Sequence, residues 1–122
     1  MTYDGFGKVF LLEFWCTFFF VQCIVCQVNK KAQESRDGIL QAAAIAFTLL
    51  AMIETAGAIS GGCFNPAFGI AQTTYQVGYM SSQGYEGAPY ARYLWVYIIA
   101  PSLGGVASAM FMKYIHLPNL HK

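Results

Sequence analysis

Charge is what this sequence has least of. Asp, Glu, Lys and Arg together make up 11% of 122 residues, against about a quarter in ordinary globular domains. The formal net charge is only +1, so neither a nucleic acid nor an acidic surface is an indicated partner. Histidine is nearly absent. The two present, His116 and His121, stand in a polar tail and are read as solvated rather than metal-bound. Cysteine is sparse too, with Cys16, Cys23, Cys26 and Cys63 in or beside apolar segments. Cys23 and Cys26 make a C-x-x-C with no second pair or histidine cluster, which favours free thiols over a metal or redox centre. No nucleophile–base arrangement, phosphate-binding loop or internal repeat is visible. No catalytic residue, metal or cofactor is therefore assigned, and no enzymatic activity is expected. Glu13 interrupts the first apolar run and no small-residue cleavage site follows it, so no cleavable leader is expected.

What fills the chain instead is apolar: 57% of its residues, with 16% aromatic. That is a membrane composition, organised as one compact unit over 1–122. A polar lead (1–8) precedes a first span over 9–28, with Glu13, Gln22 and Gln27 as its polar positions. A charged loop (29–38) leads to a second, Ala-rich span over 39–59. After a re-entrant turn, residues 75–91 are polar, aromatic and Gly-rich, and they read as a surface loop. A third span covers 93–115, and Pro118 is expected to stop its helix. Small residues at 57 and 61, 104 and 108, and 105 and 109 would let helix backbones approach closely. Tyr75, Tyr79, Tyr85, Tyr90 and Tyr114 suit the two membrane–water interfaces. The charged loop and C-terminus carry Lys30, Lys31, Arg36, Lys113 and Lys122, while Lys8 and Arg92 fall on the other side. The positive-inside bias therefore puts the loop and the C-terminus in the cytoplasm or its organellar equivalent.

The chain is organised around Gly61-Gly62-Cys63-Phe64-Asn65-Pro66-Ala67-Phe68-Gly69. Two glycines let the backbone leave the second span and turn sharply. Asn65 is then placed to cap a new helix, with Pro66 at its first position, where a missing N–H costs nothing. A helix over 66–74 would be about 14 Å long, roughly half of a ~30 Å hydrocarbon core. Its capped start would need cover from protein or water.

The run from Gly57 through Asn65-Pro66-Ala67 resembles the Asn-Pro-Ala half-helix of the aquaporins, or major intrinsic proteins. Glu13-Phe14-Trp15-Cys16-Thr17-Phe18 is similar to the Glu-x-x-x-Thr-Phe that opens each half of that family's repeat. The stretch from Trp95 to Gly105, with Ala100-Pro101-Ser102, resembles its last membrane helix. The three occur in the family's order and cover nearly the whole chain, and they correspond to the second half of an aquaporin. The implied fold is all-α: three membrane helices plus one re-entrant half-helix, half of an aquaporin-like barrel.

The resemblance also implies roles. Asn65 would donate to a passing solute beside the positive end of the half-helix dipole, which repels cations; the alternative is a cap with no pore behind it. Glu13 would accept hydrogen bonds from the half-helix turn, a scaffold role weighed against proton transfer. Phe68 stands where the family usually has Arg, so it would make an apolar constriction or a plug. Ile53, where water-selective members often have His, would complete an apolar rim with Gly62 and Phe68, closer to solute-type members than to strict water channels. The other reading of that rim is a pore no longer used. Glu54 lies outside the motif and suggests a protonated, hydrogen-bonded group or a contact with a partner. A closed pore needs a second, inverted half, which a parallel homodimer cannot supply. Two functions follow: a channel for water or small neutral solutes completed by a partner chain, or a non-transporting structural subunit of a larger membrane complex. Either places the chain in a lipid bilayer, with its particular membrane unassigned.

Overall fold

A computed structural model describes residues 5–32 and 37–120. The first four residues, residues 33–36 of the charged loop, His121 and Lys122 lie outside it, as do the side chains of Ala88 and Tyr90. Tyr90's place in the interfacial belt is therefore not described, nor are the Arg36 and Lys122 contributions to the charged side. The described residues are helical with no strand: α1 (Phe6–Val28), α2 (Gly38–Ala56), α3 (Pro66–Ser82), α4 (Ala88–Ala91) and α5 (Leu94–Phe111). A π-helical turn (Met112–His116) and α6 (Leu117–Asn119) continue α5. Phe6–Val28, Gly38–Ala56 and Leu94–Asn119 are long and apolar enough to cross a membrane.

The long helices pack along narrow stripes. On α1 the buried positions are Val9, Glu13, Cys16 and Thr17, one face at helical spacing. On α5 they are Val96, Ala100, Pro101, Gly104 and Ser108. These faces meet, and the two helices run parallel. Phe6 lies tilted against Tyr93 at 4.7 Å between centroids at one end, while Cys26 faces His116 at the other. Gly104 makes the approach close, since a Cβ there would run into the Phe14 carbonyl oxygen. Of the small-residue rows on this helix, Gly104 and Ser108 are buried, whereas Ala109 is exposed and Gly105 faces open space. Val9, Tyr93, Val96 and Ala100 form one apolar cluster. A second, of Cys16, Ala56 and Phe64, joins α1 to the end of α2. Asp37 caps α2 by accepting from the Ile39 and Leu40 N–H groups.

Several boundaries differ from the sequence reading, and α1 already starts at Phe6, within the expected polar lead. The second span ends at Ala56, because residues 57–60 tighten into a turn in which Ile59 N–H reaches the Ala56 carbonyl, three residues back, at 3.0 Å. The helix after Asn65 runs to Ser82, not to 74, and with α4 (Ala88–Ala91) most of the expected surface loop is helical. Nothing between Thr74 and Ser82 breaks a helix except Gly78, which costs about 1 kcal/mol. It stops at Gly84, in the left-handed region at φ 81°, the usual glycine stop. Polarity had marked that stretch as unable to cross a membrane, which does not prevent a helix outside one. Finally, Pro118 does not end the third span. It sits in the first turn of α6, where its N–H is not needed.

Candidate functional site

The site is built on the turn between α2 and α3. Gly61 and Gly62 have φ of 89° and 66°, and Phe64, a bulky residue, is also in the left-handed region at 51°. Such a conformation in a non-glycine costs on the order of 1–3 kcal/mol and persists only where its surroundings hold it. Three contacts do so. Glu13 is wholly buried, and its carboxylate accepts from the Cys63 N–H at 3.0 Å and the Phe64 N–H at 2.8 Å. Ser60 Oγ accepts from the Gly62 N–H at 3.1 Å. From α5, the Tyr97 hydroxyl donates to the Ser60 carbonyl at 2.6 Å. Two N–H groups that no helix partner could satisfy thus find a charged acceptor, which is how an acid becomes tolerable at membrane depth.

The turn delivers Asn65 in extended conformation, and its Oδ1 accepts from the Ala67 N–H at 2.9 Å. With Oδ1 turned to its own helix, the Nδ2 donor faces away from α3. Gly69 is a second point of close approach: a Cβ there would lie 2.7 Å from Tyr97 Cβ and 3.1 Å from Cys63 Sγ. The start of α3 therefore lies flush on α5 and on the turn.

Beside Asn65 opens a recess of about 240 Å³. Ile53, Gly62, Asn65 and Phe68 all line it, so four of the sequence-derived positions meet at one place. Pro66 and Ala67 form the first turn of α3 outside the lining, Gly61 turns the backbone, and Glu13 lies behind the wall. Phe20, Leu49 and Cys63 also line it and were not foreseen. Leu49 is one helical turn before Ile53, and Cys63 and Phe64 directly precede Asn65, so extending those motifs by one turn would have found them; Phe20, on α1, carried no such signal. Glu54 and Phe68 are exposed, Phe68 by 52%. The lining side chains are apolar apart from the Asn65 amide and the Cys63 thiol.

A bundle of three membrane-length helices, with a fourth helix starting from an acid-braced turn, is the arrangement of an integral membrane protein. A profile of the major intrinsic protein family matches residues 2–112, and the chain belongs to that family. It is similar to aquaporin NIP2-1 of Arabidopsis thaliana, 28% identical over 110 residues that cover 88% of this chain and 32% of that protein. The chain thus spans about a third of the length of that curated relative. No solved structure matches it significantly.

Proposed function

We propose that this chain is one half of an aquaporin-like channel, with the recess as one wall of a path for water or small neutral solutes. In this reading α3 is a re-entrant half-helix: its first turns lie at membrane depth against Glu13, and its last turns emerge beyond the bilayer. The observation that carries the proposal is the convergence of the Asn65 amide donor and helix start with Ile53, Gly62 and Phe68 at a single recess. A donor beside the positive end of a helix dipole suits a neutral, hydrogen-bonding solute and disfavours cations. The apolar rim disfavours ions of either sign.

The open side requires a partner. The extensive packing of α2 is against α1, while Ile39, Leu40, Phe47 and Leu50 remain exposed. A second half on a partner chain, inverted in the membrane, would cover the recess. The purified chain in liposomes is expected to leave osmotic water permeability at the protein-free level. Phe68→Arg alone is not expected to restore flow. Co-reconstitution with the complementary half should raise permeability, and Asn65→Ala should lower it again. Robust water flow through the isolated chain, abolished by substituting Asn65, would refute the partner requirement.

The exposed ring of Phe68 supports a second reading, a structural subunit in which another protein packs against the recess without transport. A photo-crosslinker at position 68 in the native assembly separates the two. Lipid or protein adducts there, with no solute permeability in the assembly, would favour the structural role.

A further inference from the structure

The outer side of α1 presents two unlike faces. Phe20, with Leu49 of α2, lines the recess beside Asn65. Phe18 lies about 160° away around the helix, and on that face a second groove, of about 680 Å³, runs between α1 and α5. Trp15, Phe18 and Phe19 line it from α1, Met110 and Phe111 from α5, and Tyr114 from the π turn. Phe18 meets Phe111 edge to face at 5.8 Å between centroids, which joins the two walls. From Ala107 to Ile115 the groove follows α5 and the π turn for about 12 Å, close to the depth of one leaflet of a ~30 Å hydrocarbon core. Its outer end is basic. There the end of α1 meets the π turn, with Cys26 Sγ 3.9 Å from His116 Nε2. His116, expected to be solvated, is instead half-buried. Lys30 and Lys31 follow α1 on that side, and Lys113 is exposed. The Lys113 ammonium stands 5.0 Å from the centroid of the Tyr114 ring, which itself lines the groove.

We propose that this groove seats one acyl chain of an anionic phospholipid, with the lipid phosphate on Lys113. Both flanking helices are of membrane length, so a groove open along them faces acyl chains. Left empty, it would forfeit the dispersion contacts of its aromatic walls. None of its lining side chains is charged, so the seat selects a hydrocarbon chain, and the ammonium at its outer end selects the headgroup. A lysine at the membrane surface favours anionic over zwitterionic lipid by about fivefold. The groove lies on the face of α1 away from the recess. A partner covering Asn65 would therefore leave it to lipid, and the assignment does not depend on transport.

The test uses the full chain with Trp95→Phe, which leaves Trp15, in the groove, as its one tryptophan. It is reconstituted in phosphatidylcholine vesicles containing a minor share of phosphatidylglycerol brominated at mid-chain, or of phosphatidylcholine brominated in the same way. The brominated phosphatidylglycerol should quench Trp15 with an apparent affinity about fivefold higher. Lys113→Gln should make the two lipids equal, and Lys113→Arg should keep the preference. Ala107→Phe, which fills the groove, should remove the preference with Lys113 in place. Equal quenching by both lipids in the parent chain would mean annular lipid only. A preference that survives Lys113→Gln would move the headgroup elsewhere, and one that survives Ala107→Phe would leave a surface attraction with no seated chain. Quenching that falls as the protein-to-lipid ratio rises would give the groove to a second copy of the chain. Each of these four results overturns the assignment, and the Lys113 variants decide it even if Ala107→Phe fails to fold.

Discussion

Replacing Glu13 tests how the turn before α3 is held. Its carboxylate takes two backbone N–H groups, at 3.0 and 2.8 Å, from wholly inside the protein. Hydrogen bonds to a charged acceptor contribute about 1.5–3 kcal/mol each, and a buried donor left unpaired costs about 1–3 kcal/mol. Glu13→Leu removes both bonds and leaves both donors among apolar groups. Its expected cost is on the order of 3–6 kcal/mol, comparable with the whole stability of many domains. Glu13→Gln keeps one acceptor but turns an amide N–H₂ toward the other donor. Its cost should be about half as great. The assay is thermal unfolding in a mild detergent, followed by tryptophan fluorescence and by the labelling rate of Cys63, which lies in the turn. The expected order of stability is native, then Gln, then Leu, with Cys63 labelled faster at each step. A Leu variant as stable as the native chain, with Cys63 labelled no faster, would refute the bracing role and leave the left-handed Phe64 without its explanation.

Gly104→Ala drives a Cβ into the Phe14 carbonyl and to 3.1 Å from Thr17 Cβ, so it should destabilise by about 1–3 kcal/mol. Gly105→Ala meets nothing within 4 Å and should be neutral or gain up to about 1 kcal/mol from helix propensity; equal effects in thermal unfolding would contradict the packing of α5 on α1. Tyr97→Phe deletes the bond to the Ser60 carbonyl and should cost about 0.5–1.5 kcal/mol, read as faster labelling of Cys63 with little change in helix content by circular dichroism. Single thiols introduced at positions 30 and 119 should react with an impermeant reagent from one side of a sealed vesicle, and one at 85 from the other. Reaction of 30 and 85 from the same side would overturn the topology.

The elements legible in the sequence are those that local chemistry specifies. Three apolar runs of membrane length, glycines at the turn, and Asn65-Pro66 at a helix start all act within a few residues of themselves. The exit of α3 was not legible, because helix formation beyond a bilayer does not require the hydropathy that marks a span. Nor was the contact between Cys26 and His116. The sequence separation is 90 residues, and the π turn changes the register by which His116 would be placed. Phe64 gave no local signal either, since its left-handed backbone is held by Glu13, on another helix.

The two small-residue rows of α5 show where local reading meets its physical limit. Gly104 with Ser108 and Gly105 with Ala109 are equivalent as patterns, each a pair four residues apart, one row turned about 100° from the other. Only the first lies against α1, and the reason emerges when both rows are followed toward the start of the helix. The first continues through Ala100 to Val96, small or β-branched side chains that are all buried, so the backbone of α1 can lie along it. The second runs through Pro101, which is wholly buried, into Tyr97, which packs beside the Val9, Val96 and Ala100 cluster and whose hydroxyl is committed to the Ser60 carbonyl at 2.6 Å. Turning α5 to seat the second row would pull that hydroxyl from the turn. The rotation of α5 is thus set by the turn that presents Asn65 as well as by helix packing, and the same tyrosine couples the bundle seam to the recess.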